Sequence, residues 1–286
     1  MNRVVDLVVS GAGALGATEA ACMEELSRGG VVFRRVGGAS AGSINSAGEA
    51  LGLGHKLSKL WVEMLSSGRL EDYKLPGPLK FAGVLIGPGH GLISGKAIRS
   101  VLAREFGKAC MGDVEKPLRV KVTNLSRRRA QTVSSDNDEH KKLRVVDVVM
   151  CSLAVPFVID AQQLDPSSPV LYSDGGIADN VPRRMWDDDE SAPTLTISFK
   201  RDETARKVSG LRDMISAVLD VVRDAAEDAT SNKPTRLIAE LELPAFGNAL
   251  DFSQTITSAE AMVRAGTFAA RSWLANPRDI LGRSLR

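Results

Sequence analysis

Val31-Val32-Phe33-Arg34-Arg35-Val36-Gly37-Gly38-Ala39-Ser40-Ala41-Gly42-Ser43 is the stretch on which the reading of this chain turns. It begins as a short apolar, β-prone run, passes through a G-x-S-x-G pentapeptide at 38–42, and enters a helical stretch at Ser43. Strand, pentapeptide and helix in that order make a nucleophile elbow. The chain turns so tightly there that the serine is pushed out at the end of the sheet, and only small residues fit two positions before and two after it. Gly38 and Gly42 hold those positions, and Ala39 and Ala41 keep the flanks small. The N–H of Ala41 then lies at a helix start, where amide dipoles favour a negative charge developing over Ser40. The same five residues also suit an ordinary Gly/Ala/Ser loop, so the partners elsewhere decide.

A hydrolase of Ser-Asp-His order needs its histidine last. The three histidines are His55, His90 and His140, all in loop-like surroundings, and none follows an acidic candidate. If Ser40 is a nucleophile, its base is expected to be something other than histidine. The acidic candidate is Asp174, in Tyr172-Ser173-Asp174-Gly175-Gly176-Ile177-Ala178-Asp179-Asn180-Val181-Pro182. It follows the β-prone Val170-Leu171-Tyr172, and Gly175 and Gly176 let the backbone swing away behind it. Asp-Gly is equally an ordinary turn. Asp179-Asn180 ahead of Pro182 reads as a turn or helix start of structural use.

A third small-residue segment, Gly11-Ala12-Gly13-Ala14-Leu15-Gly16, follows the apolar strand Val4 to Val9 and opens a helix to about Arg28. Its G-x-G-x-x-G pattern raises a nucleotide-binding reading. A dinucleotide fold wants an acidic residue about 20 positions on, where this chain has Arg34, Arg35 and the elbow. Backbone N–H groups of Gly11, Ala12 and Gly13 acting as oxyanion donors fit the pattern better.

These three segments, in this order, resemble the patatin-like phospholipase family. Ser152-Leu153-Ala154-Val155-Pro156-Phe157 is similar to the family's helix-end segment ahead of the acidic motif, and Asn180 and Pro182 continue it. The resemblance implies a three-layer α/β/α fold with a mostly parallel central sheet. It also implies a Ser40–Asp174 dyad cleaving carboxylic esters of lipids, in the manner of a phospholipase A, through an acyl-enzyme. Gly11, Ala12, Gly13 and Ala41 would supply the oxyanion hole, with Gly16, Gly38, Gly42, Gly175 and Gly176 supporting the motifs. No cofactor or metal is implied, and the identity of any activator is not. The chain departs from the family at Leu15, where a basic residue is common; the backbone donors do not depend on it. A nucleotide-binding module and a histidine-dependent esterase are the competing readings.

Composition fits a globular enzyme: 43% hydrophobic, 25% charged, net charge +2. No basic patch interleaved with aromatics calls for nucleic acid. Cys22, Cys110 and Cys151 lack a C-x-x-C spacing and read as reduced thiols of a cytoplasmic protein. Residues 4–21 mimic a signal peptide, but Asp6 and the glycines interrupt them, so they are expected to form the first strand and turn. A single domain is expected over 1–286, with its motifs in 5–200 and a helical part in 201–286. A hairpin is expected from Leu118–Val122 and Ala130–Val133, helices over Leu57–Leu65 and Leu143–Leu153, and a helix from Ser94 as cap to Phe106. A strand is expected over Pro193–Phe199. Over 203–230, Leu211, Met214, Ile215, Val218, Val221, Val222 and Ala225 share one helical face. Thr257 and Glu260 form a capping box for a last helix ending before Pro277. The apolar loop from Pro76 to Gly95, with Leu85 and Ile86, suits either a lid touching a membrane surface or a segment folded onto the core.

Overall fold

The computed structural model describes residues 3–66, 91–189, 191–200, 208–209, 211–231, 238–244 and 256–276. The first strand, β1 (Arg3–Val9), leads through the glycine-rich turn into α1 (Gly16–Arg28), and β2 (Val31–Ala39) leads through the elbow into α2 (Ala41–Ala50). There follow α3 (Leu57–Ser66), β3 (Gly91–Ile93), α4 (Lys96–Phe106) and the hairpin β4 (Leu118–Asn124) with β5 (Arg129–Ser134). Next come α5 (Val145–Leu153), β6 (Phe157–Ile159), β7 (Tyr172–Asp174) and the short α6 (Gly176–Asp179). The last elements are β8 (Thr194–Phe199), α7 (Leu211–Ser231), β9 (Ile238–Leu243) and α8 (Ile256–Ala275).

Seven of these strands form one sheet in the order β5-β4-β2-β1-β8-β9, with β7 on the β2 side of β4. It is parallel apart from β5 and β7, which both run antiparallel to β4. The mostly parallel sheet flanked by helices is the fold class expected from alternating strands and helices. β3 and β6 make a separate two-stranded parallel pair.

The two faces of the sheet are unlike. Side chains alternate along a strand, so Leu7 and Val9 enter the main core with Phe33, Val120 and Val122, beneath α1, α2 and α5. Asp6 and Val8 point the other way. Val8 packs with Met185 and Trp186, and the fully buried Asp6 receives Arg34 at 2.5 Å and Arg35 at 2.7 Å. Arg35 and Arg119 each lie 4.5 Å from the Trp186 ring. The charge that interrupts the apolar run of β1 is therefore paired, which is what allows it to be buried. Asp188 and Asp189 reach Arg119 and Arg34.

Several boundaries differ from expectation. Gly95, in a left-handed conformation at φ 69°, is the N-cap of α4, and Ser94, one position earlier, accepts the Lys96 N–H at 3.5 Å. α8 starts at Ile256, which places Thr257 inside the first turn. Residues 201–286 are not all helical, because β9 adds a strand parallel to β8. Of the shared apolar face of α7, Met214, Val218, Val221 and Val222 are exposed. By contrast α8 buries Ala259, Met262, Ala270 and Trp273, and Gly266 lets it approach the backbone of α1 at Thr18. Most of the loop from Pro76, His90 and Pro277 lie outside the described residues. Cys22 and Cys151 are buried free thiols whose pKa burial pushes up, and Cys110 is half-buried and free.

Candidate active site

Sheet register brings the two ends of the site together. β2 pairs with β4 only as far as Ala39 opposite Lys121, and there it leaves the sheet at the elbow. β7 then takes over the same edge of β4, with Asp174 opposite Val122. Ser40 and Asp174 are thus placed at successive positions along one strand edge. The Ser40 hydroxyl donates to Asp174 Oδ2 at 2.6 Å across 134 positions of sequence.

Ser40 has φ 48° and ψ −125°, a backbone state that is strained by about 1–3 kcal/mol for a residue with a side chain. Its surroundings hold it there. The Ser40 N–H donates to Ser152 Oγ at 2.8 Å, and its carbonyl accepts from Ser43 N–H at 2.9 Å and Ser43 Oγ at 2.6 Å. A side chain at Gly38 would come within 2.6 Å of the Val9 carbonyl, and one at Gly42 would run into the carbonyls of Val9 and Ser10.

Asp174 is only 4% exposed. Its Oδ1 accepts the Gly176 N–H at 2.7 Å, its backbone N–H donates to Ala154, and its carbonyl accepts from Thr123 Oγ1 at 2.7 Å. Burial raises its pKa from 3.8 to about 6. The bonds from Ser40 and Gly176 and the charge of Arg223 oppose that rise without cancelling it. Behind it, Gly175 passes so near the Lys121 carbonyl that no Cβ would fit.

The pairing of Val9 with Gly38 sets the turn after β1 beside the elbow. A Cβ on Gly11 would lie 3.1 Å from that of Ser40, so this glycine-rich turn abuts the serine. The Gly11 N–H donates to the Asn180 carbonyl at 2.9 Å. That removes Gly11 from the four expected oxyanion donors, because its one backbone proton is already bound. The N–H groups of Ala12, Gly13 and Ala41 have no acceptor among the described residues. Gly16 serves packing: the Trp61 ring occupies the space a side chain would need. Leu15, at the departure from the family pattern, is buried in the core. Behind the turn, Glu19 is fully buried and accepts from Ser10 Oγ at 2.9 Å and Asn45 Nδ2 at 3.2 Å. Asn45 also donates to the Gly16 carbonyl and accepts from Trp61 Nε1 at 2.7 Å. Burial holds the Glu19 carboxyl well above the usual range.

Four residues of the site escaped sequence reasoning. Ser152 lay inside a quoted motif without a role, yet it accepts from Ser40 and donates to the Lys121 carbonyl at 2.7 Å. Asn180 anchors the glycine-rich turn, Thr123 holds the Asp174 carbonyl, and Arg223 acts from a distant helix with no local signal. Asp179, read as structural, pairs with Lys121 at 3.1 Å. Of the two described histidines, His55 is exposed, and His140 Nδ1 accepts the Ser134 N–H at 3.1 Å.

Known proteins resemble this chain to different extents. VipD from Legionella pneumophila shares the fold, with TM-score 0.56 at 16% identity, over 96% of this chain and 67% of that one. An uncharacterized NTE family protein of Mycobacterium tuberculosis (strain CDC 1551 / Oshkosh) is 25% identical over 212 residues, 73% of this chain. The chain spans only 33% of that relative's length. The uncharacterized protein YqhO of Bacillus subtilis (strain 168) is 26% identical over 235 residues, 77% of this chain and 81% of its own. The patatin-like phospholipase family model matches residues 7–186, which takes in the glycine-rich turn, the elbow and the Asp174 segment. More than half of its length fits that model, and the chain belongs to the patatin-like phospholipase family.

Proposed function

We propose that this chain hydrolyses carboxylic esters of lipids, phospholipase A-like, with Ser40 as nucleophile and Asp174 as its base. The observation that carries the reading is the 2.6 Å bond from the Ser40 hydroxyl to a buried carboxyl, made from a strained elbow. Ser40 Oγ attacks the ester carbonyl carbon while Asp174 Oδ2 takes the hydroxyl proton. The carbonyl oxygen becomes an oxyanion facing the N–H groups of Ala12, Gly13 and Ala41, each worth roughly 100- to 1,000-fold in rate. As the oxyanion collapses, the ester C–O bond breaks and the leaving alcohol takes the proton from Asp174. Water then attacks the acyl-serine carbonyl, giving its proton to Asp174, and Ser40 departs reprotonated with release of the fatty acid.

An aspartate near pKa 3.9 is a weak base for an alcohol. Burial raises Asp174 to about 6, which makes it a stronger acceptor that is still ionised at neutral pH. The Gly176 N–H fixes one carboxyl oxygen and so aims the other at Ser40. No third residue is required. Hydrolysis of a short-chain chromogenic ester by wild type, Ser40→Ala and Asp174→Asn tests the chemistry without a membrane. Equal turnover by wild type and a folded Ser40→Ala would reject the reading.

A further inference from the structure

The end of α5 is bonded to both halves of the dyad. The Ser152 hydroxyl accepts the Ser40 N–H at 2.8 Å and donates to the Lys121 carbonyl at 2.7 Å. The Ser152 carbonyl accepts the Gly175 N–H at 3.3 Å, and the Ala154 carbonyl accepts the Asp174 N–H at 2.9 Å and Ser173 Oγ at 2.6 Å. One fully buried residue thus holds the nucleophile with its side chain and, with its backbone, the residue that follows the base. A hydroxyl carries a single proton. Because that proton goes to Lys121, only lone pairs face Ser40, and the direction of the bond is fixed. A residue at φ 48° keeps that state only while its surroundings over-determine it. On the carbonyl side of Ser40 the hold is local, from Ser43 of the helix it opens. On the N–H side it comes from Ser152, 112 positions away.

We infer that Ser152 is a positioning residue of the dyad: its hydroxyl fixes the Ala39–Ser40 peptide, and with it the line from Ser40 Oγ to Asp174 Oδ2. The inference rests on the ester-hydrolase reading above and adds the residue that sets the reach between its two groups. Lys121 is the common support. Its carbonyl takes the Ser152 proton, and Gly175 passes against the same oxygen. Ser40, Ser152 and the Asp174 segment are therefore registered on one peptide of β4. Ser152 touches no reacting atom and acts through the placement of Ser40, where a displacement of about 1 Å costs roughly 100-fold in rate.

The test compares Ser152→Ala, which removes the acceptor, with Ser152→Cys, which refills the space with a weak one, in the full chain with a short-chain chromogenic ester. Per folded molecule, kcat is expected to fall about 10- to 100-fold in Ser152→Ala and nearly as far in Ser152→Cys. KM should stay within about twofold of wild type, and fluorophosphonate labelling of Ser40 should slow with kcat. A residue of purely structural use would lower the melting temperature and leave both rates per folded molecule unchanged. A second readout needs no turnover. Loosening Ser40 from Asp174 weakens a bond that holds the carboxyl's pKa down. The Asp174 carboxyl carbon, followed by NMR and assigned with Asp174→Asn, should therefore titrate about one unit higher in Ser152→Ala. The groups around it are the same in both proteins: Arg223 of α7 acts on Asp174, Lys121 of β4 and Asp179 of α6 pair with each other, and burial keeps the Cys151 thiol of α5 neutral. Equal turnover by wild type and Ser40→Ala rejects the ester-hydrolase reading, whereas an unchanged Asp174 titration overturns the role of Ser152. That role is also overturned if either folded variant keeps kcat within about twofold of wild type, or if neither variant folds, which would make Ser152 a residue of the fold alone.

Discussion

Two serine–carboxyl pairs stand behind adjacent strands of the sheet, and they are built alike. Ser40, after β2, donates to Asp174 at 2.6 Å; Ser10, after β1, donates to Glu19 at 2.9 Å. Both carboxyls are buried and both pKa values are raised chiefly by desolvation. The difference lies around them. Ser40 sits at φ 48° at a helix start, with unbonded N–H groups on the neighbouring turn. Ser10 is regular and fully bonded: its N–H donates to Ile197, its carbonyl accepts from Gly42, and Asn45 and Trp61 close the far side of Glu19. A hydroxyl near a buried acid is therefore not the mark of a nucleophile. Strain at the serine and idle donors beside it separate a proposed reactive pair from a cross-link that ties the glycine-rich turn to the elbow helix.

The sharpest way to break this comparison is to exchange the serines' fates. Ser40→Ala should lower ester turnover by roughly 10,000-fold or more and abolish fluorophosphonate labelling, whereas Ser10→Ala should leave Ser40 labelled. Labelling of Ser10 in wild type would undo the distinction. Next in size, Asp174→Asn keeps the shape but cannot take a proton, so turnover should fall roughly 100- to 10,000-fold.

Stability should move the other way. A carboxyl whose pKa rises from 3.8 to about 6 on folding binds protons more tightly in the native state, so its contribution to stability falls as pH climbs between those values. At pH 8 the ionised Asp174 costs up to about 3 kcal/mol, and Asp174→Asn should melt higher than wild type there. Over the same window kcat/KM should rise with pH through about 6 and then level off. A flat profile from pH 5 to 8 would remove Asp174 as the base.

At the other pair the effects should appear in stability. Glu19→Ala leaves the Ser10 hydroxyl and the Asn45 amide without their buried partner, costing about 2–5 kcal/mol by denaturant unfolding. Glu19→Gln can donate to Ser10 and accept from Asn45, so its loss should be within about 1 kcal/mol. A Glu19→Gln protein that is stable but has lost most of its turnover would show the two pairs to be functionally alike. Ser10→Ala should be the mildest, at about 1 kcal/mol.

The features legible in the sequence are those set by neighbouring residues: the elbow, the glycine-rich turn, the Asp-Gly-Gly segment and the β4–β5 hairpin. Those that escaped depend on where distant segments dock. Periodicity gave α7 one apolar face but not its direction, which the pairing of Glu227 with Arg183 helps to set. Gly11, Ala12 and Gly13 were equivalent as a pattern until Asn180 bound the first. β9 had a signal that went unread: Ile238-Ala239-Glu240-Leu241-Glu242-Leu243 alternates at strand period over its second half, with Glu240 directed at Arg183 and Ser198.

The handover of the β4 edge from β2 to β7 gives the chain a built-in order of events. A ribosome finishes the elbow long before it makes Asp174, so a growing chain, or a fragment cut ahead of Tyr172, holds a serine with nothing to take its proton. On the proposed mechanism such a piece is chemically silent. On the proposed mechanism β7, the second strand on that edge, is the one that supplies the base, and turnover thereby reports that it has docked on β4.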